Sequence, residues 1–187
     1  MNRAKFANDL SLQTGDLIGY SGRGALSDFI NIVTFGIPRW HLSHLAMVVV
    51  EGGVPHVVEA LNSEKRVVKR PLAESLNCPA WVYPLSRSLY QHESDRIEHV
   101  LNNAVGTTYD VAGAFWSGGL LTRMVGSFLY KECKAQFFCS ELVAYAWSEA
   151  GLFDTANFSY WSPNSLARRA RWRGTVEKPL RLPECAI

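Results

Sequence analysis

The sequence predicts an α+β fold, on three observations. Its middle holds short runs of β-branched and aliphatic residues separated by turn signals. Its second half holds two stretches with apolar residues at helical spacing. Strands gathered first and helices at the ends suit an antiparallel sheet with helices packed on it, rather than alternating β-α units. The chain of 187 residues is long enough to bury a core, and no linker, repeat or low-complexity stretch interrupts it. Residues 1–187 are therefore read as one domain.

The elements follow in order. Thr14-Gly15-Asp16 reads as a turn into a short strand that ends at Tyr20. Residues 27–33 predict a short helix with Ser27 as N-cap, and Gly36, Pro38 and Trp40 mark a loop. Residues 44–50 are apolar at nearly every position, the pattern of a central strand buried on both faces. Glu51-Gly52-Gly53-Val54-Pro55 is a turn and residues 56–61 are the return strand, making a hairpin. Residues 66–70 and 80–84 read as further strands. A helix over residues 94–105 carries Ile97, Val100, Leu101 and Ala104 on one stripe, with Ser94 as N-cap and Gly106 as its stop. Residues 106–110 read as a loop. A second helix runs over residues 139–150, with Leu142, Val143, Ala146 and Ala150 on one face and Gly151 as its stop.

Charge and composition narrow the function. The formal net charge is +2, and no DNA- or RNA-binding motif is visible, so no nucleic-acid partner is expected. Arg168, Arg169, Arg171 and Arg173 form the one local excess; a solvated helix end is preferred over an anion- or membrane-binding patch. There is no run of roughly 18 apolar residues, so no transmembrane segment is expected. Residues 1–13 lack the apolar core of a signal peptide, which favours a cytoplasmic or phage-borne protein, with a trimmed exported one left open. Cys78, Cys133, Cys139 and Cys185 lack metal-site spacing and are expected as thiols; no metal and no organic cofactor is expected. The oligomeric state is not legible.

Cys139 opens a helix after a polar loop. Backbone N–H groups there lack intrahelical partners and the helix dipole presents its positive end. Both effects favour thiolate over thiol, and the same N–H groups are suited to an oxyanion. The competing reading is a small buried hydrophobe. A nucleophilic cysteine needs a base, and the base an orienting partner. Among His41, His44, His56, His92 and His99, His44 stands at the start of the apolar strand, where an imidazole is unexpected. Glu59 is a carboxylate inside the apolar return strand, and a buried carboxylate needs a partner. If the hairpin loop holds an even number of residues, His44 and Glu59 share a face with Cβ atoms about 5 to 8 Å apart. An odd loop puts them on opposite faces. Small Ala46 beside His44 leaves room for a helix start or a substrate.

Six segments in order carry a family resemblance: Thr14-Gly15-Asp16-Leu17-Ile18, Leu42-Ser43-His44-Leu45-Ala46-Met47-Val48, Val57-Val58-Glu59-Ala60, Gly106-Thr107-Thr108-Tyr109-Asp110, Phe138-Cys139-Ser140-Glu141-Leu142-Val143 and Ser162-Pro163-Asn164. Together they resemble the circularly permuted papain-like amidases of the YiiX/YaeF-like group, within the NlpC-type superfamily. The resemblance covers roughly residues 12 to 170, and its order of histidine, glutamate, cysteine is that of the permuted branch. It implies a permuted papain-like fold, a small antiparallel sheet or barrel packed on the helix that bears the cysteine. It also implies Cys139 as nucleophile, His44 as base and Glu59 as the acidic third residue. Residues 116–131 have no place in that pattern and read as an insertion shaping the cleft. Tyr109, which matches a family motif, and Tyr20 are substrate-side candidates whose hydroxyls could serve an oxyanion; for Tyr20 an ordinary half-buried aromatic is the preferred reading.

The expected function is a cysteine-dependent hydrolase of amide or ester bonds. The resemblance points to cell-wall peptides or acyl-lipid-type substrates, so the expected partner is a small peptide-like or acylated molecule. Two alternatives stand beside it. One is an acyltransferase similar to the lecithin:retinol acyltransferase group, using the same residues; the other is a non-catalytic binding module.

Overall fold

The structure, a computed structural model, describes residues 11–21, 42–61, 63–76, 79–109, 136–155 and 157–182. The expected helix at 27–33, the loop at 36–40, the stretch 116–131, His41, Cys78, Cys133 and Cys185 lie outside the described residues. Among the described residues one sheet contains β1 (Leu17–Tyr20), β2 (His44–Glu51), β3 (Val54–Leu61), β4 (Arg66–Pro71), β5 (Ala80–Tyr83), β6 (Thr108–Tyr109), β7 (Gln136–Phe137) and β8 (Leu180–Arg181). Their order is β7-β6-β4-β3-β2-β1-β5-β8. Neighbours are antiparallel except β6 and β7, which run parallel. The helices are α1 (Leu72–Ser75), α2 (Gln91–Ala104), α3 (Cys139–Glu149) and α4 (Pro163–Trp172), with a 3₁₀ turn at Phe158–Tyr160. The architecture is α+β.

The β2–β3 hairpin organises the sheet. Glu51 pairs with Val54, leaving Gly52 and Gly53 as a two-residue loop with φ of 57° and 80°. Positive φ at both central residues matches the twist of the flanking strands, and glycine reaches it without a steric cost. Strand β2 lies between β1 and β3, and Leu45, Ala46, Met47, Val48 and Val49 are fully buried, as a central strand requires. Alternation then divides the core. Leu45, Met47 and Val49 face a large cluster that includes Ile97 and Leu101 of α2, Leu142 and Trp147 of α3, and Leu166 and Ala170 of α4. Ala46 and Val48 face a smaller cluster with Ile18, Tyr20, Val57 and Leu72.

Two local readings are corrected. Helix α2 begins at Gln91 rather than at Ser94, with Tyr90 as N-cap. The Glu93 carboxylate accepts the Tyr90 backbone N–H at 2.9 Å and is itself held by Arg87, so the helix start is stabilised three residues earlier than the serine suggests. The expected loop at 106–110 contains strand β6, because Thr108 pairs with Arg66 on one side and Gln136 on the other.

Thr14-Gly15-Asp16 anchors the end of the sheet opposite to His44. The buried Asp16 carboxylate accepts the backbone N–H groups of Gln13 at 3.0 Å and Leu85 at 2.8 Å. At the other end of the chain, Arg168, Arg171 and Arg173 are exposed where α4 ends, with the Arg169 guanidinium 4.6 Å from the Trp172 ring centroid. That is the solvated helix end expected from the sequence.

Candidate active site

The hairpin loop holds two residues, so the parity condition for pairing His44 with Glu59 is met. Extending the register beyond Met47↔Val58 sets His44 against Leu61, with Glu59 on the same face one diagonal step away. The His44 Nε2 lies 2.7 Å from Glu59 Oε2. Glu59 is 1% exposed and its second oxygen is engaged as well. Arg70 donates to Oε1 from Nε at 2.7 Å, and its Nη2 is ion-paired with the same oxygen at 2.6 Å. Arg70 stands opposite Val57 in the β3–β4 ladder, which makes it the diagonal neighbour of Glu59. Three adjacent strands thus contribute imidazole, carboxylate and guanidinium to one face.

Tyr20 is directly opposite His44 across β1 and β2, and the two ring centroids are 5.6 Å apart. Its hydroxyl is 2.7 Å from Ser75 Oγ, which itself donates to the Leu72 carbonyl at 2.8 Å, so the tyrosine is the donor. The ring lines the imidazole while the hydroxyl is turned toward α1. The Tyr109 backbone pairs with Phe137, two residues before Cys139, and its side chain lies outside the described atoms. His92 and His99 are exposed on α2, and His56 is three residues from Glu59 and therefore on the other face of β3.

Cys139 is the first residue of α3. Phe138 before it is extended, with φ −107° and ψ 167°, and no side chain caps the helix. The uncapped start leaves backbone donors near the sulfur, and the N–H groups of Ser140 and Leu45 favour its charged form. The second donor follows from the sheet. The β2–β3 ladder ends at Met47↔Val58, short of Leu45, and there the start of α3 meets the opened strand. The thiol also lies beside the His44 side chain, and each favours the charged form of the other. With Nε2 taken by Glu59, Nδ1 is the ring nitrogen left for it. Cys139 is 6% exposed, while the His44 side chain retains 22%.

The electrostatics run against burial and overcome it. Desolvation opposes the charged form of His44, but Cys139 and Glu59 together raise its pKa to about 10. Desolvation likewise opposes the Cys139 thiolate, and the His44 charge with the Leu45 and Ser140 N–H groups brings the thiol below its ordinary value. Burial would raise Glu59, but its hydrogen bonds and ion pairs with His44 and Arg70 hold it below the usual carboxylate range. All three shifts favour a thiolate–imidazolium pair backed by a carboxylate.

Cys139, His44 and Glu59, read from the sequence as a set, are brought together. Arg70 was not read as part of it. A signal existed, since a buried glutamate with one titratable partner calls for a permanent cation, and Arg66, Val68 and Arg70 share a strand face. Choosing between Arg66 and Arg70 needs the β3–β4 register.

No family model matches the chain, and neither does any curated protein. Among solved structures, the metalloprotein yiiX from Escherichia coli O157:H7 (DUF1105) superposes with a TM-score of 0.58 at 21% identity, over 93% of this chain and 91% of that one. Likeness at that level of identity is likeness of fold, and the chain has a YiiX-like α+β fold.

Proposed function

We propose that this protein is a thiol hydrolase of amide or ester bonds, with Cys139 as nucleophile, His44 as general base and acid, and Glu59 as the group that orients His44. The observation that carries the reading is the juxtaposition of the Cys139 thiol, at a helix start, with His44, which is hydrogen-bonded to a buried and arginine-held Glu59. A structural cysteine has no need of such an arrangement. The thiolate attacks the substrate carbonyl carbon, and the charge moves to the carbonyl oxygen, within reach of the donors at the start of α3. The His44 imidazolium gives its proton to the leaving amine or alcohol, and a thioester remains. His44, now neutral, takes a proton from water as the water attacks. Collapse releases the acid and restores the thiolate–imidazolium pair. Glu59 keeps the ring oriented through both proton transfers. The favoured substrates are peptide-like amides of the cell-wall type and acylated lipid-like molecules.

The similar solved protein yiiX is named a metalloprotein. The donors at this site do not fit a resident metal. Glu59 Oε1 is held by Arg70 and Oε2 by His44, which leaves the Cys139 sulfur and one imidazole nitrogen. Catalytic zinc sites use about three protein ligands, and among the described residues no group of three His, Cys, Asp or Glu side chains is arranged to hold a metal. No step is routed through one.

The direct test is turnover of a small panel of muropeptides, acyl-amino acids and lipid esters by wild type and by Cys139→Ala. Hydrolysis of at least one class by wild type alone is expected. A folded Cys139→Ala protein that still hydrolyses the substrate sinks the mechanism. Iodoacetamide labelling at mildly acidic pH is an independent check, because an ordinary thiol reacts slowly there.

A further inference from the structure

The two halves of the proposed ion pair come from elements far apart in the chain, β2 and α3, and both reach the pair at the end of an element. Cys139 is at an uncapped helix start. His44 is at the end of β2, paired with Tyr20 of β1 on one side but beyond the last residue paired with β3 on the other. Strand and helix ends fray unless something holds them. A short segment of chain touches both.

At one end of this segment, the carbonyl of Trp161 accepts a hydrogen bond at 2.5 Å from the hydroxyl of Ser140, the residue after Cys139. At the other end, the Asn164 side chain grips the backbone of Leu42, two residues before His44, in both directions. Asn164 Oδ1 accepts the Leu42 N–H at 3.0 Å, and Asn164 Nδ2 donates to the Leu42 carbonyl at 3.0 Å. Ser140, Asn164 and Leu42 are all buried, at 0%, 2% and 2% exposure, so these bonds are not exchanged for water. Ser162 lies between the two ends and caps α4 by accepting the Ser165 N–H at 3.3 Å, which ties the segment to a rigid helix. Leu42 is also fixed on its far side, because its Cδ2 sits 2.8 Å from where a Cβ on Gly19 would be. Only glycine at position 19 lets Leu42 lie this close to β1.

We infer that residues 161–164 are a brace that sets the distance between Cys139 and His44, with Ser140 and Asn164 as positioning residues that touch no substrate. The inference rests on the functional reading above for its purpose, but its physical consequence is a property of the resting protein. Shortening or lengthening the gap between sulfur and imidazole changes how far each stabilises the charge of the other. A misplacement of about 1 Å at such a pair costs on the order of 100-fold in rate.

The test is the pH profile of Cys139 alkylation by iodoacetamide, followed on the Cys139 peptide by mass spectrometry, in Asn164→Ala, Ser140→Ala and the double variant. The groups around the sulfur and its base are His44, Glu59, Arg70, the Tyr20 ring and the N–H groups of Leu45 and Ser140, and each variant leaves them all in place. A shifted midpoint therefore reports geometry. Each single variant is expected to raise the midpoint by about half a pH unit or more, roughly a threefold loss of thiolate at a fixed acidic pH. The double variant is expected to go no further than the larger single one, because cutting either end releases the brace. Circular dichroism and thermal unfolding run beside it. A merely structural role lowers the melting temperature and leaves the midpoint where it was. If Asn164→Ala does not fold, Ser140→Ala decides, since it removes one oxygen atom. A low wild-type midpoint that is unchanged in the folded variants overturns the brace alone. A wild-type Cys139 that titrates as an ordinary thiol overturns the thiol-hydrolase reading and the brace with it.

Discussion

Two glutamates in this protein are gripped by an arginine at the same closest distance, 2.6 Å, and the grips do different things. Arg87 takes both oxygens of Glu93, Nη1 on one and Nη2 on the other. The arginine side chain is 49% exposed, and the carboxylate also accepts the Tyr90 N–H at the start of α2. Its hydrogen bonds with Arg87 hold Glu93 down to about 2, and the result is a clip that starts a helix. Glu59 is 1% exposed and divides its oxygens, one to Arg70 and one to His44. A carboxylate wholly engaged by one permanent cation stays as it is. A carboxylate shared between a permanent cation and a titratable ring passes its charge on to that ring, and from the ring to Cys139.

The largest way to break this comparison is at Cys139 itself. Cys139→Ala is expected to abolish turnover of any substrate found while leaving the circular dichroism spectrum intact, since the volume change is small. The corresponding substitution beside Glu93, Tyr90→Ala, should leave turnover unaffected. Next come the two residues behind the thiol. His44→Ala removes the base and is expected to cost roughly 10²–10⁴-fold in kcat/KM. Glu59→Gln keeps the shape and an acceptor for the imidazole but removes the charge. A loss of about 10- to 100-fold is expected, with a raised apparent pKa for Cys139. Silence of Glu59→Gln would reduce Glu59 to a second structural clip.

Stability separates the two arginines. Arg70→Met leaves a buried carboxylate without its permanent cation, and a loss of roughly 3 kcal/mol is expected in urea unfolding. Arg87→Met removes a cation that is itself 49% exposed and leaves Glu93 the Tyr90 N–H, so its loss should be clearly smaller. Equal losses would mean that burial does not distinguish the two pairs.

The smallest expected effect is in the pH dependence of stability, and its sign follows from proton counting. The unfolded imidazole titrates near 6.5 and the unfolded thiol near 9.0. Between these values the unfolded pair holds one proton, on sulfur, and the folded pair also holds one, on His44. Stability from the pair is therefore flat across that window. Below it the unfolded state binds the extra proton, and stability falls as pH falls. Above pH 9.0 the unfolded pair has lost its proton while folded His44 keeps its own up to about 10, so stability falls as pH rises. Urea midpoints measured across this range should show the plateau in wild type. In Cys139→Ala the thiolate that does most to raise His44 is gone, so the fall in stability above pH 9.0 should disappear.

Much of the site was legible because its signals are local. A glycine pair between two apolar runs specifies a two-residue hairpin, and the hairpin places His44 and Glu59 on one face. A cysteine at the first position of a helix meets free backbone donors wherever that helix goes. The sequence by itself therefore determined the hairpin, the imidazole–carboxylate pair and the helix start that presents Cys139. The tertiary structure alone decided that Arg70 and not Arg66 holds Glu59, that the Leu45 N–H favours the thiolate, and that Asn164 reaches Leu42 across 122 residues of chain. It also moved the start of α2 to Gln91 and made a strand of Thr108 and Tyr109. The reason is range: turn chemistry and helix starts act within a few residues, whereas the register of the next strand and the docking of a helix depend on packing the whole core at once.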